Sequence, residues 1–352
     1  MVTDKILSMY VCFLLNGFTI KNIKIKVGTI KSYLLVVNDH YKAQSRNPPF
    51  EYKSNSKTAR LLAEQERYED LPERREPLPD KTLARMMGLA KSSDPLGFKA
   101  AVWDITGLGR LGGFRQQEFA MDTNSTIKHY VKPDGTLVVR AFCVRNLIFR
   151  TEDGSIIKRV LLRKNLAFEV GVQFDIQKNR MNGQIIWFQR DNTYPDYCPV
   201  RISLNLLWRA QTLGQGADDP LCVYQDKTGT KCYLSGQEVT HYFRSVVTST
   251  TPNISPDDLK LISCHSIRVK ACVLLAEAGM KGWYIKLRLR WLSDCFEVYI
   301  RNTKIIVSQH TDALSSSNER LAEVAIAPAH LPQNLVESGI LDDSFYILED
   351  DD

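Results

Sequence analysis

Apolar residues along this chain recur first at helical spacing, then in alternation, then at helical spacing again. Ile6–Phe18 is an apolar run broken by Ser8, Asn16 and Gly17. It is far shorter than the roughly 20 residues a membrane span needs, so it predicts a buried helix. Val27–Tyr41 carries Ile30, Tyr33, Leu34, Val37 and Tyr41 on one face, the clearest helical period in the first 75 residues. The stretch Tyr68–Asp80 (YEDLPERREPLPD) is dense in charge and proline and predicts a linker. Beyond it, residues 81–103 predict helix, GLGRLGG a glycine-rich turn, and Arg115–Asp122 a further helix.

Strand-like runs follow at Leu137–Val144, Leu147–Arg150, Phe168–Ile176 and Gln184–Phe188. The last two flank QKNRMNG, whose Asn182-Gly183 is a hairpin turn signal. Residues 199–247 mix helix and loop. A helix start is written at Ser255-Pro256-Asp257-Asp258, with a capping Ser, proline at the first helical position and a carboxylate three residues on. A longer helix over Ser266–Ala278 places Ile267, Ala271, Leu274 and Ala278 on one face and stops at Gly279. A last short helix starts at Ser293-Asp294 and contains Tyr299. The pattern as a whole predicts a helical N-terminal segment followed by an α+β domain.

Charge sharpens this picture. The 352 residues carry 46 Lys+Arg and 40 Asp+Glu, a net +6 that hides an uneven distribution. Residues 1–301 hold 44 basic and 30 acidic side chains, or +14, and residues 302–352 hold 2 and 10, or −8. A basic body favours a polyanionic partner. Lys21, Lys24, Lys26 and Lys31 crowd the start of the Val27 helix, either as a solvated face or as DNA-binding contacts of the first segment. The eight cysteines form no Cys-x-x-Cys pair and no zinc-finger spacing with histidine, so no metal site is expected. Scattered cysteines without a signal peptide fit reduced thiols in a nuclear or cytosolic protein, and no membrane association is expected.

Six residues stand in an informative order: Arg115, Lys178, His265, Arg268, Trp291 and Tyr299. Each alone is a weak signal. Arg115 lies in FRQQE, where Glu118 sits one turn on and can orient the guanidinium. His265 and Arg268 in HSIR are also one turn apart and can face one anion. Lys178 sits at the hairpin, and Tyr299 follows Trp291 by eight residues.

Taken together in GFRQQEF, FDIQKNRMNGQIIWF, CHSIRVKACVLLAEAGM and RWLSDCFEVYIR, the chain resembles the tyrosine recombinase/integrase family. It looks most like the eukaryotic mobile-element recombinases of the Crypton and DIRS type. The likeness runs from about residue 28 to residue 302. It implies an α+β architecture: an all-helical, SAM-like core-binding domain over residues 1–75, a mixed catalytic domain with a small antiparallel sheet over 76–302, and an exchange segment with an acidic tail over 303–352. Because such core-binding domains have about four helices and residues 1–70 hold room for three, a truncated first domain is expected.

The resemblance also implies roles. Arg115, Arg268 and Trp291 would hold the scissile phosphate, His265 would donate to the same oxygens or accept the tyrosine proton, Lys178 would protonate the leaving oxygen, and Tyr299 would attack. The expected activity is cutting and rejoining DNA through a 3′-phosphotyrosyl link, with no cofactor, metal or ATP. The expected partners are double-stranded DNA and further copies of the chain in a synaptic tetramer. The expected compartment is the nucleus of a eukaryotic host, or otherwise the cytoplasm. Two alternatives stay open on sequence: a domesticated, catalytically silent DNA-binding relative, and a type IB topoisomerase.

Overall fold

A computed structural model describes residues 3–19, 21–51, 56–69, 74–132, 134–177, 182–300, 307–309 and 311–312. The chain divides into two compact units, Met1–Glu73 and Arg74–Asp352.

The first unit contains α1 (Asp4–Leu15), α2 (Val27–Ala43) and α3 (Lys57–Tyr68). Leu7, Val11, Leu14, Val27, Ile30, Leu34, Phe50 and Leu62 form its core. Thr3 caps α1 and Ser56 caps α3 by accepting from backbone amides. The start of α2 has no cap of its own; the Glu69 carboxylate accepts from the Val27 amide at 2.6 Å instead. The apolar run around α1 is not buried as a whole. Met9, Tyr10, Phe13 and Phe18 are exposed, because only one side of the helix meets α2 and α3.

The second unit begins with α4 (Asp80–Lys91), α5 (Phe98–Gly112) and α6 (Gln116–Phe119), followed by the hairpin β1 (His129–Val131) and β2 (Leu137–Val139). A three-stranded antiparallel sheet comes next, in the order β3 (Leu147–Arg150), β4 (Glu169–Phe174), β5 (Gln184–Gln189). Then follow α7 (Pro199–Thr212), the hairpin β6 (Val223–Gln225) and β7 (Lys231–Tyr233), and α8 (Gly236–Thr250). Next come α9 (Pro256–Leu261), α10 (Ser266–Glu277), α11 (Gly282–Leu289) and α12 (Glu297–Ile300). The fold of this unit is α+β, with small antiparallel sheets among many helices.

Helix α5 is the pillar of the second unit, and here the sequence misleads. GLGRLGG does not turn; all but its last glycine continues the helix. The reason is close packing. A Cβ on Gly109 would lie 2.8 Å from the Ile267 side chain of α10, so the glycine lets α5 and α10 approach. The gain from that contact outweighs the roughly 1 kcal/mol helix penalty of a glycine. The predicted helix over 81–103 is likewise interrupted, ending at Lys91 and resuming at Phe98.

Helix α10 is buried on all sides from Ser266 to Val273 rather than along one face. Its buried Lys270 reaches the exposed Asp80 at the start of α4, pairing with it at 2.7 Å. Gly279, with φ +74, ends the helix in a Schellman turn, its successor Met280 donating to Leu275 at 3.0 Å.

Candidate active site

Five of the six ordered residues fall on three neighbouring pieces of the second unit. The first is the turn from α5 into α6. Gly113 adopts φ +58 and ends α5, and Arg115 is the capping residue of α6. Glu118 holds Arg115 twice. Its carboxylate accepts from the Arg115 amide at 2.8 Å and from Nη1 at 3.0 Å. Far from a surface ion pair, this one joins an arginine side chain 19% exposed to a carboxylate 6% exposed. Arg115 also borders an open cavity of about 890 Å³ that Tyr130, Lys132 and Arg140 line.

The second piece is the start of α10. His265 takes the capping position, and its amide donates to the Ser263 hydroxyl at 3.3 Å. One turn on, Arg268 is buried and donates through Nη1 to the Gly113 carbonyl.

The third piece follows α11. Trp291 leaves the helix and its ring lies 4.2 Å beneath the Arg268 guanidinium. The 3-10 turn Asp294–Phe296 then leads into α12. Phe296 is buried against Ala271, Cys272, Ile285 and Leu289, which anchors the turn to α10 and α11. Asp294 pairs with Lys286 of α11 at 2.9 Å. The turn so anchored brings the Tyr299 hydroxyl to 3.5 Å from His265 Nε2, the outer limit of a hydrogen bond, with the two rings 6.2 Å apart.

The electrostatics are those of a cationic pocket. Burial, then repulsion from Arg268, Arg75 and Arg115, pushes the His265 imidazole down to about 4. The ring is therefore neutral at pH 7. Burial, reinforced by Arg115 and Arg290, lowers the Arg268 guanidinium to about 9, still charged at neutral pH. Burial raises the Tyr299 phenol, while the positive charge of Arg74 works in the opposite direction. Among the described residues, Arg268 Nη2 and Trp291 Nε1 are buried with no hydrogen-bond partner. An unpaired buried donor costs about 1–3 kcal/mol.

Lys178 lies in 178–181, outside the described residues. Of the lysines expected to bind phosphate, Lys21, Lys24 and Lys26 are exposed in the first unit. Lys31 differs: it pairs with Glu66 of α3 at 2.7 Å and is partly withdrawn from solvent.

Two arginines escaped the sequence reading. Arg290, buried beside Trp291, pairs with Glu118 at 2.9 Å. Arg74, inside the predicted linker, is the charge that acts against burial at the Tyr299 phenol, and its neighbour Arg75 donates to the Lys260 carbonyl at 2.6 Å. Neither carries a spacing signal, since isolated arginines in RLRW and PERRE look like solvated charge.

No family model and no curated protein matches this chain. Among solved structures it is similar to the Tn1549 transposon integrase in complex with transposon right end DNA, at 12% identity and a TM-score of 0.43, covering 91% of this chain and 86% of that one. It is also similar to XerA recombinase, at 12% identity and a TM-score of 0.37 over 89% and 83% of the two chains. A third is a lambda integrase dimer bound to a COC′ core site, at 13% identity and a TM-score of 0.42 over 86% and 81%. With such low identities and superposition scores, these likenesses carry no argument about chemistry, which has to come from the site itself.

Proposed function

We propose that the protein is a DNA strand transferase of the tyrosine recombinase type, cutting and rejoining DNA site-specifically through Tyr299. The observation that carries this reading is the convergence of Arg115, Arg268 and Trp291, with two buried donors unpaired, on a tyrosine whose hydroxyl faces a neutral histidine.

In this reading the scissile phosphate binds between Arg115, Arg268 and the Trp291 indole. His265 Nε2 takes the phenol proton as Tyr299 Oη attacks phosphorus. The Oη–P bond forms, the P–O5′ bond breaks, and the leaving 5′-oxygen takes a proton, the role proposed for Lys178. The extra charge on the non-bridging oxygens is met by guanidinium groups fixed before the reaction starts. One such donor is typically worth about 10²–10³ in rate. Arg74 stabilises the phenolate. The resulting 3′-phosphotyrosyl ester conserves the bond energy for religation, so the proposed cycle needs neither metal nor ATP.

DNA affinity would come from the basic cleft of Arg115, Lys132 and Arg140 together with Lys21, Lys24 and Lys26 of the first unit. The proposed working form is a tetramer on two DNA sites. The proposed setting is a eukaryotic mobile element of the Crypton or DIRS type, with the nucleus as compartment. Incubation with nicked suicide DNA, from which the cleaved end diffuses away, should trap a covalent protein–DNA adduct that Tyr299→Phe abolishes. Salt-sensitive DNA binding with no adduct on cognate DNA would instead select a catalytically silent relative.

A further inference from the structure

We infer that Arg290 is a positioning residue that aims Arg115 and Arg268 at the scissile phosphate, an inference that rests on the strand-transfer reading. Its backbone is left-handed, at φ 57 and ψ 47, a conformation that disfavours any residue with a Cβ. Its side chain is buried, over the Phe174 ring at 3.7 Å. A chain that holds a charged, β-carbon-bearing residue in such a place has another use for it.

The contacts identify that use. Arg290 Nη2 donates to Glu118 Oε2 at 2.9 Å, and the Arg290 carbonyl accepts from Arg115 Nη2 at 3.3 Å. Glu118 in turn holds Arg115 by its amide and Nη1. The Arg115 guanidinium is thus fixed along two edges, one by Glu118 and one by the Arg290 backbone. Through Nη1, Arg290 also donates to the Gly112 carbonyl at 2.9 Å. The next carbonyl, that of Gly113, receives Arg268 Nη1. Trp291, on which Arg268 lies, is the residue immediately after Arg290. One buried residue therefore ties together the supports of both arginines. The Glu118 carboxylate, shared by two guanidinium groups, keeps the cluster from repelling itself apart.

The test compares single-turnover cleavage by wild type, Arg290→Gly and Arg290→Lys on two nicked DNAs. One carries the ordinary scissile phosphodiester. The other carries a methylphosphonate there, in which a neutral methyl replaces one charged oxygen. Glycine suits the left-handed backbone, and lysine keeps charge and bulk should the glycine variant not fold. A misaimed arginine should slow cleavage of the phosphodiester by about 100-fold. The deficit should shrink to about tenfold or less on the methylphosphonate, where less charge awaits the arginines. Wild-type rates on the phosphodiester, or equal slowing on both substrates, would overturn the positioning role. Absence of any adduct with the wild-type protein would refute the strand-transfer reading itself, a distinguishable failure.

Discussion

Acid should expose the cost of burying His265. The ring's ordinary value of 6.5 falls to about 4 in the folded protein, chiefly through burial and then through the neighbouring arginines. At pH 7 both folded and unfolded states hold the ring neutral, and nothing is lost. As pH falls below 6.5 the unfolded chain binds a proton that the folded one refuses until about pH 4. Stability is thus present above 6.5 and is lost as pH falls, reaching a deficit of about 3 kcal/mol from this group alone. Urea unfolding of wild type and His265→Gln, repeated from pH 7 to pH 4, isolates that contribution as the difference between the two slopes. The wild type should lose about 3 kcal/mol more than the variant across this range. Parallel curves would refute the burial argument. Cleavage kinetics check the same shift independently. A histidine of ordinary acidity would lose about nine-tenths of its basic form between pH 7 and pH 5.5, whereas His265 should keep nearly all of it. A tenfold fall in rate centred at pH 6.5 would contradict the assignment of His265 as a pre-neutralised base.

Three substitutions probe other supports. Trp291→Phe keeps a ring beneath Arg268 but removes the unpaired indole donor, so cleavage should slow about 10- to 100-fold with little change in melting temperature. Gly113→Ala places a Cβ 2.9 Å from Leu289 on a backbone at φ +58. It should cost about 1–3 kcal/mol by thermal melting and lower cleavage as well, because the Gly113 carbonyl holds Arg268. Asp104→Asn breaks a fully buried pair with Arg209 at 2.6 Å. It should cost about 3–5 kcal/mol in urea unfolding, read alongside the DNA affinity of the folded fraction.

What was legible in the sequence was local and periodic. Strand β3 falls where Leu147–Arg150 predicted it, and the Asn182-Gly183 turn does separate β4 from β5. The capping signal at Ser255 and the Gly279 stop mark real helix ends. The short pieces were not legible. Helix α11 and the hairpins β6–β7 and β1–β2 are too brief to establish a period, and tertiary packing stabilises them. The run Leu137–Val144 predicts one strand, yet only Leu137–Val139 forms one; Cys143 makes an isolated bridge to Pro220, and Phe142 turns into an aromatic cluster with Phe114 and Phe174. The glycines of α5 read as a turn because composition cannot show a neighbouring helix. The site was legible as an ordered set of residue types, and five of the six lie together in the second unit. Arg290 and Arg74 were invisible for a physical reason. Their significance lies in contacts with residues over 170 and over 220 positions away in sequence, which no local pattern encodes.

The central claim is that Tyr299 forms a covalent bond to DNA, and mass spectrometry of the trapped adduct tests it most directly. Trypsin releases WLSDCFEVYIR, residues 291–301, which contains a single tyrosine. After nuclease trimming, that peptide should carry a nucleotide joined through phosphorus to Tyr299, and the mass should be lost on Tyr299→Phe. An adduct on any other residue, or an unmodified peptide from protein that has cleaved DNA, would contradict the account.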